Sequence, residues 1–397
     1  MKYYAAATTS VIALLAQPAM SFGQSTVTLY GIIDTSAQWQ QGMPQGHSYS
    51  LASGNWLPSR WGIKGQDDIG GGTRVVFQLE SGFSSVTGSL GCGIFCRRAT
   101  VGLTNPTWGT VNIGRIGVDE LQEDSWFVDP QVFMLFGLST MVRGRNWTFA
   151  SNSIEYTSPT WYGVTLKGQY ELTSSATWNA GNPGSGPGQL NGPQGRSDGI
   201  ELTYSNGPLG LQAIYDEIRS PYGTFNNVYQ NSRSLLLGGN YTIGHVTLYA
   251  GFQHLSAPQA SINGYFTDAG AVATSLPGGA SLPTAVNHEW FGASWQITPV
   301  TVLTAAYYHA NANNGNGNAN LYTLAAAHAL SKSVTVYSEV GLVTNSKASN
   351  IGLGDGYSDP YGANVNNNPS GGAADFRTSP DYGHSQTSVI AGVIKRF

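Results

Sequence analysis

Val164-Thr165-Leu166-Lys167-Gly168-Gln169-Tyr170-Glu171-Leu172 alternates strictly between apolar or small residues and polar ones. A period of two is the signature of an extended strand whose two faces meet different surroundings. Here Val164, Leu166, Gly168, Tyr170 and Leu172 form a face suited to hydrocarbon, while Thr165, Lys167, Gln169 and Glu171 form one suited to water. Val246 to Gln253 repeats the split, with Val246, Leu248, Ala250 and Phe252 set against Thr247, Tyr249, Gly251 and Gln253. Val27 to Asp34, Ile63 to Gln66, Val75 to Glu80, Leu209 to Asp216 and Val334 to Leu342 carry the pattern with less contrast. Val300 to Ala310 is apolar on both faces, so its periodicity chooses no orientation.

The connections between these segments alternate in length. Short turns fall at Asp67–Gly72, Asn105–Gly109, Ser158–Gly163, Asn206–Pro208, Ile243-Gly244, Thr298-Pro299 and Ser331–Ser333, each with the Gly, Pro, Asn or Ser that turns require. Long Gly/Asn/Ser/Pro segments lie between them, among them Asn179 to Arg196, Pro258 to Pro283, Asn311 to Asn320 and Ser346 to Pro380. Seven short turns and eight long connections give sixteen strands. The expected fold is therefore all-β: a 16-stranded antiparallel transmembrane barrel with short turns on one side and long loops on the other. Closure removes the edges that so many strands would otherwise expose. A secreted β-helix or β-sandwich would explain the alternation but not the two-sided asymmetry of the connections. Trp108, Trp161 and Tyr162 place aromatics at the short-turn level.

Composition agrees. With 18 Lys and Arg and 22 Asp and Glu in 397 residues, the chain carries 10% charge, against roughly a quarter in ordinary soluble proteins. A net charge of −4 gives no reason to expect nucleic acid as a partner. No run approaches the length of a helical membrane span, whereas a barrel strand needs only about ten alternating residues. Met1-Lys2-Tyr3-Tyr4, the apolar run Ala5 to Leu15 and the small-residue site Ser21-Phe22-Gly23 read as a signal peptide over 1–23. Residues 24–397 are then the barrel. Cys92 and Cys96, the only cysteines, are expected to form a local disulfide in the oxidising compartment that a signal peptide implies. Neither they nor the seven histidines suggest a metal site.

If Arg60, Gly62 and Lys64 point inward, then Trp61 and Ile63 point to lipid. By the same alternation Arg74, Gln78 and Glu80 point inward, with Arg97 heading the next strand and Arg115 ending the one after. The connection that follows holds Asp119, Glu120, Glu123, Asp124 and Asp129. Folded into the lumen opposite the basic wall, this loop would narrow the pore and set a transverse field, focused by the low-dielectric wall. The other reading makes these acids hydrated charges on an external loop. No metal-protease, P-loop or dinucleotide motif appears, no cofactor is implied, and the expectation is a channel rather than an enzyme. A barrel enzyme or an adhesion barrel is the remote alternative.

The chain resembles the general porins of beta-proteobacteria, the Gram-negative porin family. The resemblance rests on Ser25-Thr26-Val27-Thr28-Leu29-Tyr30-Gly31, Ser59-Arg60-Trp61-Gly62-Ile63-Lys64-Gly65, Asp68-Ile69-Gly70-Gly71-Gly72 and Phe77–Phe83. Val101-Gly102-Leu103, Gly114-Arg115, Asn152–Pro159 and the terminal Phe397 add to it. It implies a homotrimer in the outer membrane, in contact with lipid and lipopolysaccharide, inserted by the barrel assembly machinery through Phe397. It also implies an inward third loop over 116–152. Arg60, Arg97 and Arg115 would be its basic side, with Lys64 and Arg74 lower on the wall, and the five loop acids its acidic side. Ser84 to Phe95 would latch over a neighbouring subunit. The implied function is diffusion of ions and small hydrophilic solutes, or, as the nearest alternative, selective passage of sugars or small organic acids. Two departures stand out: Ser151 occupies a position usually basic, with Arg143 and Arg145 displaced upstream, and Lys395 takes an outward position in the last strand.

Overall fold

The computed structural model describes residues 25–91, 93–116, 121–132, 136–142, 150–172, 196–219, 231–256, 266–267, 270–271, 283–353 and 379–397. The signal-peptide reading of 1–23 lies outside them. Sixteen barrel strands follow in chain order. They are β1 Thr26–Met43, β2 in two segments (Gly46–Ser53 and Arg60–Gly70), β3 Thr73–Gly82, β4 Arg98–Asn105, β5 Gly109–Ile116, β6 Ala150–Thr157, β7 Val164–Leu172 and β8 Arg196–Asn206. The second half holds β9 Leu209–Arg219, β10 Asn231–Ile243, β11 Val246–Ser256, β12 Ala285–Thr298, β13 Thr301–Ala312, β14 Ala319–Ser331, β15 Val334–Asn345 and β16 Gln386–Arg396. Each strand pairs antiparallel with its neighbours in sequence.

The sheet closes on itself. β1 pairs with β16 from Ile32 opposite Arg396 to Gln41 opposite Thr387. The carboxy-terminal residue completes the seam: Gly31 N donates to Phe397 O at 3.0 Å, and Phe397 N donates back to Gly31 O at 3.1 Å. No helix among the described residues is long and apolar enough to cross a membrane. The strands provide the crossings.

Three boundaries differ from the sequence reading. β1 runs past Asp34 to Met43 and returns as the first segment of β2, so this hairpin extends beyond the expected strand. The Asp67–Gly72 turn narrows to Gly71-Gly72, because Asp67 to Gly70 stay paired to β3. The connection expected over Asn311 to Asn320 shrinks to Asn313–Asn318, since Ala310 still pairs with Ala319 across it. Two-residue turns such as Gly207-Pro208 and Gly244-His245 place glycine at φ 57° and 60°, where a side chain would be strained.

The alternation sorts residues between the two surroundings. Leu29, Val101, Ile113, Leu202, Leu211, Leu237 and Leu248 are exposed on the outer surface, while Glu155, Gln169, Glu171, Glu201, Gln212 and Gln253 are buried toward the inside. On β12 to β14 the outward side carries a row of stacked rings, Phe291 to Tyr307 and Tyr307 to Tyr322, with centroids 5.2 Å apart in both pairs. Such cross-strand aromatic pairs hold register as well as covering the surface.

Candidate functional site

The lumen holds a segment that belongs to no strand. Between β5 and β6 the described residues form a 3-10 turn over Leu121–Phe127 and a single helical turn over Leu138–Met141. The described part of this loop is fastened to the inner wall from β7 round to β15. Gln212 of β9 donates to the Asp124 carbonyl at 3.0 Å, Asn240 of β10 to the Phe127 carbonyl at 2.9 Å, and Trp290 of β12 to the Val128 carbonyl at 2.8 Å. Phe136 N donates to the Glu339 carboxylate of β15 at 3.2 Å. Trp56, in the interruption of β2, donates its indole N–H to the Val132 carbonyl at 2.9 Å. That interruption is pulled inward by Asp34, whose carboxylate accepts from Trp56 N, Leu57 N and the Tyr337 hydroxyl.

Apolar packing does the rest. Val128, Phe136, Leu138, Met141 and Val142 of the loop are fully buried against Ile214, Leu236, Trp290, Tyr308, Leu321 and Tyr337 of the wall. Burying such a side chain contributes about 1.5–3 kcal/mol. Contact is close enough to require glycine: a Cβ on Gly238 would lie 2.8 Å from Val128 Cβ, and one on Gly341 2.7 Å from the Phe136 ring. The covering explains why Val300 to Ala310 is apolar on both faces. Its outer side meets lipid, and part of its inner side meets the loop instead of water.

The predicted acidic side departs from the expected arrangement. Asp129 does not face the pore: it is buried, and accepts from the Tyr308 hydroxyl at 2.5 Å, Gln131 N at 3.0 Å and Leu138 N at 3.0 Å. Burial pushes its carboxyl up from the usual range, against the three hydrogen bonds that hold it down. Asp124 is ion-paired to Lys167 of β7, which also lies 3.6 Å from Glu201. Both acids therefore serve loop docking, because a carboxylate against the wall meets donors fixed by neighbouring strands. Asp119 and Glu120 lie outside the described residues, as does the side chain of Glu123. The same holds for the side chain of Ser151 and for Arg143 and Arg145.

Of the residues expected on a basic side, Arg60 and Lys64 lie on β2, Arg74 on β3 and Arg97 just before β4. Arg60 Nε lies 3.6 Å and Arg97 Nε 2.7 Å from the two carboxylate oxygens of Glu80, which also accepts from the Tyr30 hydroxyl at 2.9 Å. Gln78 donates to Tyr30 at 2.6 Å, and the Lys64 ammonium sits 5.4 Å from the Tyr30 ring centroid. Arg74 is exposed near the short-turn end. Arg115, at the end of β5, donates to the Cys96 carbonyl and lies cross-strand from Ala99. Cys96 is buried and held in a disulfide, and Cys92 lies outside the described residues.

Sequence reading missed three members. Arg98 lines the inner wall with Lys64, Gln78, Thr100 and Asn112, in a cavity of about 480 Å³; next to Arg97 in sequence, it carries no separate signal there. Glu80 was expected inward but not as the carboxylate joining two arginines. Lys167 was placed correctly on the water-facing set of β7, with no signal that a loop acid forty-odd residues earlier would reach it. No group of His, Cys, Asp and Glu among the described residues could hold a metal.

A closed sixteen-stranded barrel with a lipid-facing exterior, a polar lumen and a loop docked inside it is a transmembrane channel of the outer-membrane type. The Gram-negative porin family model matches residues 7–348, and the chain belongs to that family. It is 29% identical over 284 residues to an outer membrane porin protein of Bordetella pertussis, covering 64% of this chain and 69% of that one. It is 25% identical over 353 residues to outer membrane porin protein 32 of Delftia acidovorans, covering 86% and 90%. Among solved structures, an anion-selective porin from Comamonas acidovorans superposes with a TM-score of 0.70 at 21% identity, over 94% of this chain and all 100% of that one. OmpF of Salmonella typhi, in complex with daunomycin, gives 0.58 at 14% identity, over 94% and 97%. The protein is a multi-pass barrel of the outer membrane.

Proposed function

We propose that the protein is a passive diffusion channel in which ions and small hydrophilic solutes pass a basic arc of wall, with anions favoured. The observation that carries this reading is the imbalance of charge on the inner face of β2 to β4. Arg60, Lys64, Arg74 and Arg98, with Arg97 just before β4, stand against Glu80 and Asp68, while Asp124 and Asp129 of the loop are turned to the far wall. Fixed charges in a narrow, low-dielectric pore raise the local concentration of counter-ions. The porin from Comamonas acidovorans is anion-selective, which supports the same sign here. Asp119, Glu120 and Glu123 belong to the constriction in this proposal, and so does Arg115, through the Cys96 carbonyl that ties its strand end to the preceding connection.

Recording from purified protein in planar bilayers tests the reading. Stepwise, largely ohmic conductance is expected without an energy source, with a reversal potential under a salt gradient that shows anion preference at low salt. A folded barrel that does not conduct would favour an enzyme or adhesion barrel. Block by one class of sugar or organic acid alone would favour the substrate-selective alternative.

The proposal includes a homotrimer, with Ser84 to Phe95 reaching a neighbouring subunit. Val27, Leu29, Val101 and Leu103 leave an apolar outer surface on the early strands that a second barrel or lipid would cover. Insertion by the barrel assembly machinery through Phe397, and contact with lipopolysaccharide, are parts of the same reading. The mass of the detergent-solubilised particle decides the trimer: a monomer under mild conditions overturns it.

A further inference from the structure

A second cavity, of about 320 Å³, opens on the short-turn side of the loop, against β11 to β14. Its apolar lining is Trp56, Pro130, Val132, Val302, Ala325 and Ala327. Its polar side carries hydroxyls and an amide: Thr247, Tyr249, Ser294 and Thr304, the last two 3.0 Å apart through their hydroxyl oxygens, with Gln296 beside them. Among the described residues no Asp, Glu, Lys or Arg lines it, and His245 belongs to the short turn at its mouth. The Trp56 indole N–H is already committed to the Val132 carbonyl, so its ring presents an apolar surface. Gln131 lines the cavity with its Nε2 given to Thr323 and its buried Oε1 without a donor.

We infer that this cavity is a binding subsite for a small uncharged aromatic alcohol of the phenol class. The inference rests on the lumen being a diffusion path. Concave sites of about 300–1,000 Å³ with an apolar lining and a few polar groups are the usual form of small-molecule sites. A cavity of about 150 Å³ already holds benzene, so the volume here takes one substituted ring. An ion would find no counter-charge and would lose hydration. A sugar would bring hydroxyls on every edge, and those against Trp56, Pro130, Val302, Ala325 and Ala327 would meet no partner. A ring with one or two hydroxyls matches both parts: its face lies on Trp56, Val302 and Ala327, and its hydroxyl meets Ser294, Thr304 or Gln296.

The test is ion current through the full-length channel in bilayers, with resorcinol as probe and glucose as control. Resorcinol is expected to reduce the current reversibly at millimolar concentration, and glucose at equal concentration to leave it unchanged. Ala327→Phe fills the cavity without touching the basic wall or the loop anchors, and should raise the half-blocking concentration by about tenfold or more. Val302→Phe does the same from the adjacent strand and serves if the first variant fails to assemble. Unblocked current, equal block by glucose, or block that persists in both variants overturns the subsite and leaves the diffusion reading standing. Absence of current from the unsubstituted barrel overturns that reading and the subsite with it.

Discussion

Glu80 sets the charge of the inner wall at the point where Arg60 and Arg97 meet. Two guanidiniums and one carboxylate leave a single positive excess there, so Glu80→Gln should strengthen anion preference and Arg60→Gln weaken it. Reversal potentials at low salt measure both, and shifts of the same sign in the two variants would sink the assignment. Substituting Glu80 also removes the carboxylate paired with the nearly buried Arg97, at a cost to stability of about 3–5 kcal/mol for a buried pair broken from one side; thermal unfolding of the detergent-solubilised protein checks it. Asp129 gives a pH-dependent outcome instead. Its carboxyl titrates above the ordinary range in the folded protein, so its contribution to stability is complete below the unfolded pKa and is lost as pH rises through the folded one. Docking of the loop should therefore weaken with rising pH across that interval, and Asp129→Asn should remove the slope. Limited proteolysis of the loop at a series of pH values reads this directly. Protection that grew with pH in the unsubstituted protein would show the sign to be wrong.

At the scale of the element, the loop behaves as a separate packing unit laid on a finished barrel. Its anchors come from strands β7 to β15, far from it in sequence, while the barrel's own hydrogen bonds run between neighbouring strands. Weakening the anchors should free the loop without opening the sheet. Tyr308→Phe removes the hydroxyl donated to Asp129 and should cost about 1–3 kcal/mol of docking, the penalty for a buried group losing its partner. Gly238→Ala places a methyl 2.8 Å from Val128 Cβ, and the loop must shift to admit it. Both variants should show noisier current and faster cleavage between 116 and 152, with barrel content by circular dichroism unchanged. Equal loss of strand signal would mean that loop and barrel fold as one unit. The interruption of β2 belongs to the same design: Trp56 and Leu57 leave the sheet because Asp34 and Tyr337 hold them in the lumen.

For the whole molecule, closure and field are the two properties that matter. The Phe397 ring occupies the space that a Cβ on Gly31 would need, and the backbone of the same two residues closes the seam between β1 and β16. Phe397→Ala should retain the ladder but lose the ring's cover, lowering the temperature at which the barrel loses its heat-modifiable mobility on gels; an unchanged transition would place the role of Phe397 in insertion alone. Selectivity should fade with salt, because the screening length drops from about 10 Å at 0.1 M to about 3 Å at 1 M. The period of two, the turn residues and the sparse charge were enough to reach a closed barrel of sixteen strands from sequence, since strand sidedness is written in adjacent residues and each short turn in its own dipeptide. The positions of Lys64 and Lys167 on the water-facing side followed from the same parity. Which charges meet did not follow. Asp124 reaches Lys167, Glu80 joins Arg60 to Arg97, and Asp129 disappears beneath Tyr308, because the path of the loop is decided by apolar packing against strands brought near only when the barrel closes. Alternation tells inside from outside, whereas the partner of a charge inside depends on distances that exist only in the folded chain.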